Sequence, residues 1–159
     1  MIGPIFRIND YVLLPTGDIG RVIGIDVKEY LDEDTCFTTY KVCWSEWFAD
    51  QPCKRHVRDY GWSELGFVDL NASILKRIGF KAVAGQGTYR YQDLVCRKTV
   101  VYDGSDASLT VFKPSKHPIL DFMYADFVSD MQHHFSAVDI VFPFLDTYFA
   151  ELVFKKRNK

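Results

Sequence analysis

The amino-acid sequence predicts an α+β fold, with an N-terminal SH3-like bent antiparallel sheet, a short helix, and then an antiparallel sheet with one or two C-terminal helices. Three observations predict this class. Short runs of strand-forming residues alternate with turn residues early in the chain. A capped helical pattern begins near residue 71. Further strand patterns then lead to a long apolar stripe of helical period.

The composition is that of a globular domain. Hydrophobic residues make up 48% of the 159 residues and charged residues 25%, which excludes disorder, collagen and coiled coil. A chain of this length buries roughly 70% of its unfolded surface and needs no disulfide to fold. The patterns predict a strand-rich part over residues 1–69 and an α+β part over residues 70–159, packed as one compact unit.

The first part is predicted to hold three short strands joined by tight turns. The turn residues Pro15 to Asp18 separate the first two strands. Gly20 and Gly24 suit the bends of a small SH3-like sheet. A long irregular loop is expected over residues 45–61, and a closing strand over 62–68. The three strands are expected over residues 6–14, 19–25 and 36–44.

A short helix is predicted to connect the two parts. Asn71 is a suitable N-cap, because its side chain can accept a hydrogen bond from a free backbone N–H of the first turn. Ile74, Leu75 and Ile78 form the apolar stripe, and Gly79 is the residue expected just after the helix.

Strand patterns return after this helix. Gly85 to Gly87 predicts a hairpin and not a phosphate loop, since a strand follows it. Apolar residues recur at the helical period from Leu120 to Val138, which predicts a helix there. Pro143 suits the start of a last helix, for which a terminal strand over residues 149–154 is the alternative. The strands are predicted over residues 81–84, 88–96, 98–102 and 108–113.

Charge, cysteine usage and hydropathy exclude several classes of protein. The formal net charge is −2, whereas non-specific nucleic-acid binders usually have a strongly basic face. No apolar run reaches the roughly 18 residues of a membrane span, and no signal-peptide pattern is visible. The four cysteines are spaced irregularly, unlike a secreted disulfide framework. We therefore expect a cytoplasmic protein with reduced thiols and no membrane contact.

No motif in the sequence identifies a reaction, so we expect a non-catalytic protein without cofactor or metal. Cys36, Cys43, Cys53 and His56 could be drawn as a zinc site, but they lack the paired C-x2-C knuckles of such sites. Cys53 and His56 as nucleophile and base would need an orienting group and an oxyanion site, and neither is identifiable. Structural cysteines are the simpler interpretation.

A second arrangement of possible metal ligands lies on the predicted helix over Leu120 to Val138. Asp126, Asp130 and His133 fall at i, i+4 and i+7, which would place two carboxylates and an imidazole on one flank. Ordinary pairing of charged side chains on a solvated helix surface explains the same pattern. We take that as the simpler interpretation.

Two groups of residues favour contact with a partner protein. One has five acids within nine residues, opposed only by Lys28, and would form an acidic hairpin that engages a basic surface. The other brackets the expected loop with aromatic residues, which are enriched at interfaces. A solvated loop and core packing are the alternatives for the two groups. The candidate residues are Asp26, Glu29, Asp32, Glu33, Asp34, Trp44, Trp47, Phe48 and Trp62.

Two stretches resemble small uncharacterised proteins of phages and mobile elements of gut anaerobes. Their pattern G-x-x-G-R-V-x-G-I, followed by Y-K-V, is present in Gly17 to Ile25 and Tyr40 to Val42. Their helix ending I-L-x-x-x-G-F is matched from Ile74 to Phe80. A later V-H-x-L-Q-N pattern is matched at Val128 and Gln132 only. The resemblance implies a phage or mobile-element origin and no known activity.

Three kinds of function remain open at this point. The absence of catalytic motifs and the aromatic and acidic groups favour a protein that acts by protein–protein contact with a host protein, for example as an inhibitor of a host defence system. A nucleic-acid-associated module is the alternative, because SH3-like barrels often bind nucleic acid and residues 155–159 are basic. A small metal-binding protein or enzyme is the third.

Overall fold

The computed structural model describes residues 5–30, 35–48, 51–83 and 87–143. Within residues 29–30, 35–36, 46–48, 51–54 and 119–122 it describes the backbone alone. The predicted α+β class is confirmed: a curled antiparallel sheet, a helix, a second antiparallel sheet and a second helix follow one another. The described residues form two compact units, and the boundary between them in the sequence lies between Val68 and Asp69.

The first unit is a five-stranded antiparallel sheet. The strands occur in the order β4-β3-β2-β1-β5, so that the first strand lies between the second and the last. A 3₁₀ turn over Trp62–Glu64 precedes the last strand. The strands are β1 (Tyr11–Leu13), β2 (Ile19–Tyr30), β3 (Thr35–Phe48), β4 (Gln51–Gly61) and β5 (Gly66–Phe67).

The predicted loop over residues 45–61 is wrong, because most of this segment is strand. β3 continues to Phe48, and β4 pairs with it from Phe48↔Gln51 to Thr39↔Gly61. Among the described strands β4 lies at one end of the sheet, where proline and charged residues are tolerated. Pro52 and the basic residues of β4 therefore resemble a loop in composition although their backbone is extended.

The two glycines expected at bends have different roles in the structure. Gly20 lies where β2 approaches β3 closely: a Cβ atom on it would be 2.5 Å from Cγ1 of Val42. Gly24 adjoins an irregularity in the register of β2 and β3, which lies between Val22 and Gly24. Such a bulge increases the local bend and twist of the strand. The bend expected from the sequence is thus located at Gly24.

Tyr40 on β3 lies in the core of the first unit. Its side chain is fully buried, and its hydroxyl accepts hydrogen bonds from the backbone N–H groups of Ile5 (2.7 Å) and Phe6 (3.2 Å). Its ring meets that of Phe6 edge-on, with 5.5 Å between centroids. Tyr40 therefore holds the segment before β1 against the sheet. The buried core consists of Phe6, Val12, Leu14, Val22, Tyr40, Val42 and Tyr60.

The second unit contains five antiparallel strands and two helices. Its sheet has the order β10-β9-β8-β7-β6, so that each strand pairs with its neighbour in sequence. The elements are α1 (Ala72–Ile78), β6 (Lys81–Val83), β7 (Thr88–Gln92), β8 (Thr99–Asp103), β9 (Ser108–Phe112), β10 (Pro118–Tyr124) and α2 (Val128–Ala137).

The short helix α1 confirms the prediction made from its caps. The Asn71 side chain accepts a hydrogen bond from the N–H of Ile74 at 2.9 Å. Gly79 has a φ of +113°, a left-handed conformation that favours glycine, and the N–H of Phe80 bonds to the carbonyl of Leu75 at 3.0 Å. Both ends of this helix are thus determined by local sequence.

The helix predicted over residues 120–138 is wrong in its first half. Residues 118–124 form β10, and α2 begins only at Val128. β10 pairs with β9 through two irregularities of register, between Pro118 and Leu120 and between Leu120 and Met123. These irregularities break the alternation expected of a strand, so its apolar residues mimic the helical period. The last helix predicted from Pro143 lies outside the described residues.

We expect Tyr40→Phe to destabilise the protein by about 1–3 kcal/mol, because the buried N–H of Phe6 and the half-buried N–H of Ile5 lose their acceptor. Chemical denaturation measures the free energy of unfolding. Tyr124→Phe is the control, since Tyr124 is 59% exposed and its substitution should change that free energy by less than about 0.5 kcal/mol. Equal effects of the two substitutions would contradict the role given to the Tyr40 hydroxyl.

Candidate partner-binding surface

The structure describes the side chains of three of the nine candidate partner-binding residues: Asp26, Trp44 and Trp62. For Glu29, Trp47 and Phe48 only the backbone is described, and Asp32, Glu33 and Asp34 lie outside the described residues. The acidic segment itself is extended up to Tyr30, because β2 pairs with β3 as far as Tyr30↔Thr35. Asp26 and Glu29 therefore belong to a strand.

Strand pairing brings Asp26 and Trp62 to one end of the first sheet. Asp26 pairs with Thr39 on β3, and Thr39 pairs with Gly61 on β4, so these three residues form one row across the sheet. With strands about 4.8 Å apart, Asp26 lies roughly 10 Å from Gly61, which is followed directly by Trp62. Trp62 is 41% exposed, and Asp26 is exposed as well.

Phe37 is an exposed aromatic residue of this region that the sequence analysis did not identify. It lies two residues before Thr39 on β3 and therefore on the same face of the sheet. Its side chain is 46% exposed, and its Cζ atom would lie 3.8 Å from a Cβ atom on Gly61. The alternation of Phe37, Thr39 and Lys41 with the buried Thr38 and Tyr40 is the signal that could have found it.

A groove of about 400 Å³ extends along the same face. Two carboxylates, of Asp26 and Asp59, and two ammonium groups, of Lys28 and Lys41, line it. Gly24 contributes to its wall. A Cβ atom built on Gly24 would be 3.3 Å from the Cβ atom of Lys41. We call Asp26, Phe37, Asp59 and Trp62 the acidic-aromatic surface. Such a surface can contact apolar groups and pair with cations of another molecule.

Trp44 lies on the other face of the sheet. It packs against the core of the first unit and stacks on His56 with 5.2 Å between ring centroids. It also meets the ring of Tyr60 at 5.9 Å. The core packing considered for these aromatic residues is thus observed for Trp44, and its role in partner binding stays a prediction.

The cysteines of the first unit and His56 lie on the neighbouring strands β3 and β4. Cys43 is buried as a free thiol and pairs with Val57, while Trp44 pairs with His56. For Cys36 and Cys53 the backbone alone is described. Within the described part of the chain, no three His, Cys, Asp or Glu side chains are grouped so that they could hold a metal ion.

The arrangement of Asp126, Asp130 and His133 on one helix is wrong, because Asp126 precedes α2. The carboxylate of Asp130 instead caps this helix: its Oδ2 atom accepts hydrogen bonds from the N–H groups of Asp126 (3.2 Å) and Phe127 (3.1 Å). A carboxylate in the first turn also interacts favourably with the helix dipole. The spacing of Asp126 and Asp130 is therefore explained by the cap at the start of α2.

Four groups of the second unit have a perturbed pKa, each from a local cause. Hydrogen bonds from the side chain and backbone of Cys96 lower the pKa of Asp93, and those from Ser105 lower the pKa of Asp103. Burial raises the pKa of Tyr91 and of Tyr102. Tyr91, Tyr102 and Asp103 belong to strands of the sheet, and Asp93 directly follows β7.

Comparison of the chain with known protein families, with curated proteins and with solved structures finds no match. Neither described helix is long and apolar enough to cross a membrane.

We expect Asp130→Ala to lower the free energy of unfolding by about 0.5–2 kcal/mol, since α2 loses its cap. Thermal or denaturant unfolding followed by circular dichroism measures this. Asp126→Ala is the matched control: it removes a neighbouring carboxylate but leaves both hydrogen bonds to Asp130, so its effect should stay below about 0.5 kcal/mol. A larger loss for Asp126→Ala would show that the cap is misassigned.

Proposed function

We propose that this protein is a non-catalytic interaction protein whose acidic-aromatic surface binds a basic segment of a partner protein. The observation that carries the proposal is the exposure of Phe37 and Trp62 next to the Gly61 row, with the carboxylates of Asp26 and Asp59 on the same part of the sheet. Aromatic anchors supply most of the binding energy in many interfaces, and charged residues around them set the choice of partner.

The aromatic residues provide the apolar part of such an interface. Phe37 is 46% and Trp62 41% exposed, so each has apolar area left to bury against a partner. Burying this area is favourable at about 25 cal/mol per Å². Both rings are attached to backbone that the sheet or the 3₁₀ turn holds, since the carboxylate of Glu64 accepts a hydrogen bond from the N–H of Gly61 at 2.7 Å. Little ordering is then required on binding.

The charge of this part of the chain favours a basic partner. The first 70 residues carry 12 acidic and 7 basic groups, and the acids at positions 29 and 32–34 follow Asp26 in sequence. An excess of carboxylates attracts a basic segment over a distance of about a Debye length, which raises the association rate. The acids therefore attract the partner before contact, and the aromatic rings stabilise the complex after contact.

The resemblance to small proteins of phages and mobile elements supports a biological setting for this binding. On that basis we propose a phage or mobile-element protein that acts in the host cytoplasm on a host protein. Inhibition of a host defence system is the role that this setting suggests. Neither a membrane nor a cofactor takes part in the proposed activity.

Capture experiments with the tagged full chain test the aromatic anchors. We expect Phe37→Ala combined with Trp62→Ala to reduce capture of the partner from a lysate of the source cell by at least about tenfold, as loss of two interface anchors does. Tyr124→Ala, which removes another exposed ring, should leave capture within about twofold. Capture that survives the double substitution, or that disappears on nuclease treatment, would contradict the proposal.

The association rate with the captured partner tests the charges. Asp26→Asn combined with Asp59→Asn should slow association about tenfold at low salt and much less at high salt, because salt screens long-range attraction. Asp69→Asn combined with Asp106→Asn removes the same number of exposed carboxylates elsewhere in the chain and serves as control. Biolayer interferometry gives the rates, and equal slowing by both pairs would argue against a specific surface.

A further inference from the structure

A second feature of the first sheet lies further along β3, on the face that carries the groove. Cys43 and Ser45 lie on that face, because they continue the alternation of Thr39 and Lys41. Arg21 on β2 pairs with Cys43 from one side, and Arg55 on β4 pairs with Ser45 from the other. Two arginines therefore flank the same short stretch of β3.

Their spacing allows both guanidinium groups to reach one ligand. Arg21 and Arg55 are two strand spacings apart and offset by two residues along β3, which places their Cα atoms roughly 12 Å apart. An arginine side chain is long enough to cover about half of that distance. Both residues, with Cys43 and Ser45, line a small pocket of about 20 Å³.

The chemistry of this pocket is that of an anion site. Its described lining residues include two arginines and one serine, and none of them carries a carboxylate. Its volume is enough for one oxygen-sized group, so that a tetrahedral oxyanion would insert one oxygen and leave the others at the surface. Arginine binds phosphate through two parallel N–H···O bonds, and a hydroxyl can donate a third.

We propose that Arg21, Ser45 and Arg55 form a binding site for a phosphoryl group. The group is supplied either by free phosphate or by the backbone of a single-stranded nucleic acid, which present the same oxygens. This site does not depend on the proposed partner binding, because it uses none of the residues of the acidic-aromatic surface. Along β3 it lies four to six residues beyond Thr39, or about 13–20 Å.

Titration of the full chain with inorganic phosphate, followed by ¹H–¹⁵N NMR, tests the site. We expect the amide resonances of Cys43, Ser45 and Arg55 to shift, and Arg55→Gln to weaken phosphate binding by at least about tenfold. Arg55→Lys keeps the charge but loses the planar fork, so it should give an intermediate loss. Arg55 is exposed, and its replacement should leave the fold intact.

Arg58→Gln is the matched control for Arg55→Gln. Arg58 lies on the same strand but on the opposite face, over the ring of Tyr60 at 5.2 Å. Its substitution removes one positive charge without touching the pocket, and phosphate binding should change less than about twofold. Equal losses for both variants would overturn the proposal. So would pocket amides that stay unshifted at about 20 mM phosphate, unless the chain binds an oligonucleotide in a manner that depends on Arg55.

A fluorescein-labelled deoxythymidine oligonucleotide of about twelve residues distinguishes the two sources of the phosphoryl group. Anisotropy that rises at low salt with the wild-type chain, and that falls with Arg55→Gln but not with Arg58→Gln, assigns the site to a nucleic-acid backbone. Phosphate binding with unchanged oligonucleotide anisotropy assigns it to free phosphate. Both results support the site. It is overturned if Arg55→Gln leaves oligonucleotide binding unchanged and the amide resonances of the pocket do not shift in phosphate.

Discussion

The two hydrogen bonds accepted by the hydroxyl of Tyr40 are the interaction on which the first unit depends. They satisfy the backbone N–H groups of Ile5 and Phe6, which would otherwise be desolvated without an acceptor as the segment packs against the sheet. Because Tyr40 is fully buried in β3, the same side chain orders the chain before β1 and fixes β3. Both proposed surfaces are arranged on that strand.

The alternation of β3 separates core residues from residues of the outer face of the sheet. Thr38, Tyr40 and Val42 are buried on one face, while Phe37, Thr39 and Lys41 are directed to the other. Substitutions of Phe37, Thr39 or Lys41 are therefore expected to leave the core of the first unit unchanged. The outer face also changes in composition along the strand, from two acids and two lysines at the groove to Arg21 and Arg55 beside Ser45.

Sequence reasoning succeeded where the controlling interactions are local. Asn71 caps the start of helix α1 and Gly79 ends it, through contacts within one or two turns, so both ends could be predicted. It failed over residues 45–61 and 118–124, where the strands exist because each pairs with the strand that precedes it in the chain. Pro52 and the charged residues of β4 suggest a loop, and the register irregularities of β10 give its apolar residues a helical period.

The sequence by itself determined the α+β class, the caps of α1 and the alternation of β3, since these depend on neighbours in the chain. It also contains no recognisable catalytic motif. The tertiary structure decided which residues share a surface. Phe37 lies beside Gly61 and Trp62, and Arg21 beside Ser45 and Arg55, only because β3 pairs with β2 on one side and β4 on the other. Pairing register is set by the packing of a whole face, and no local spacing in the sequence encodes it.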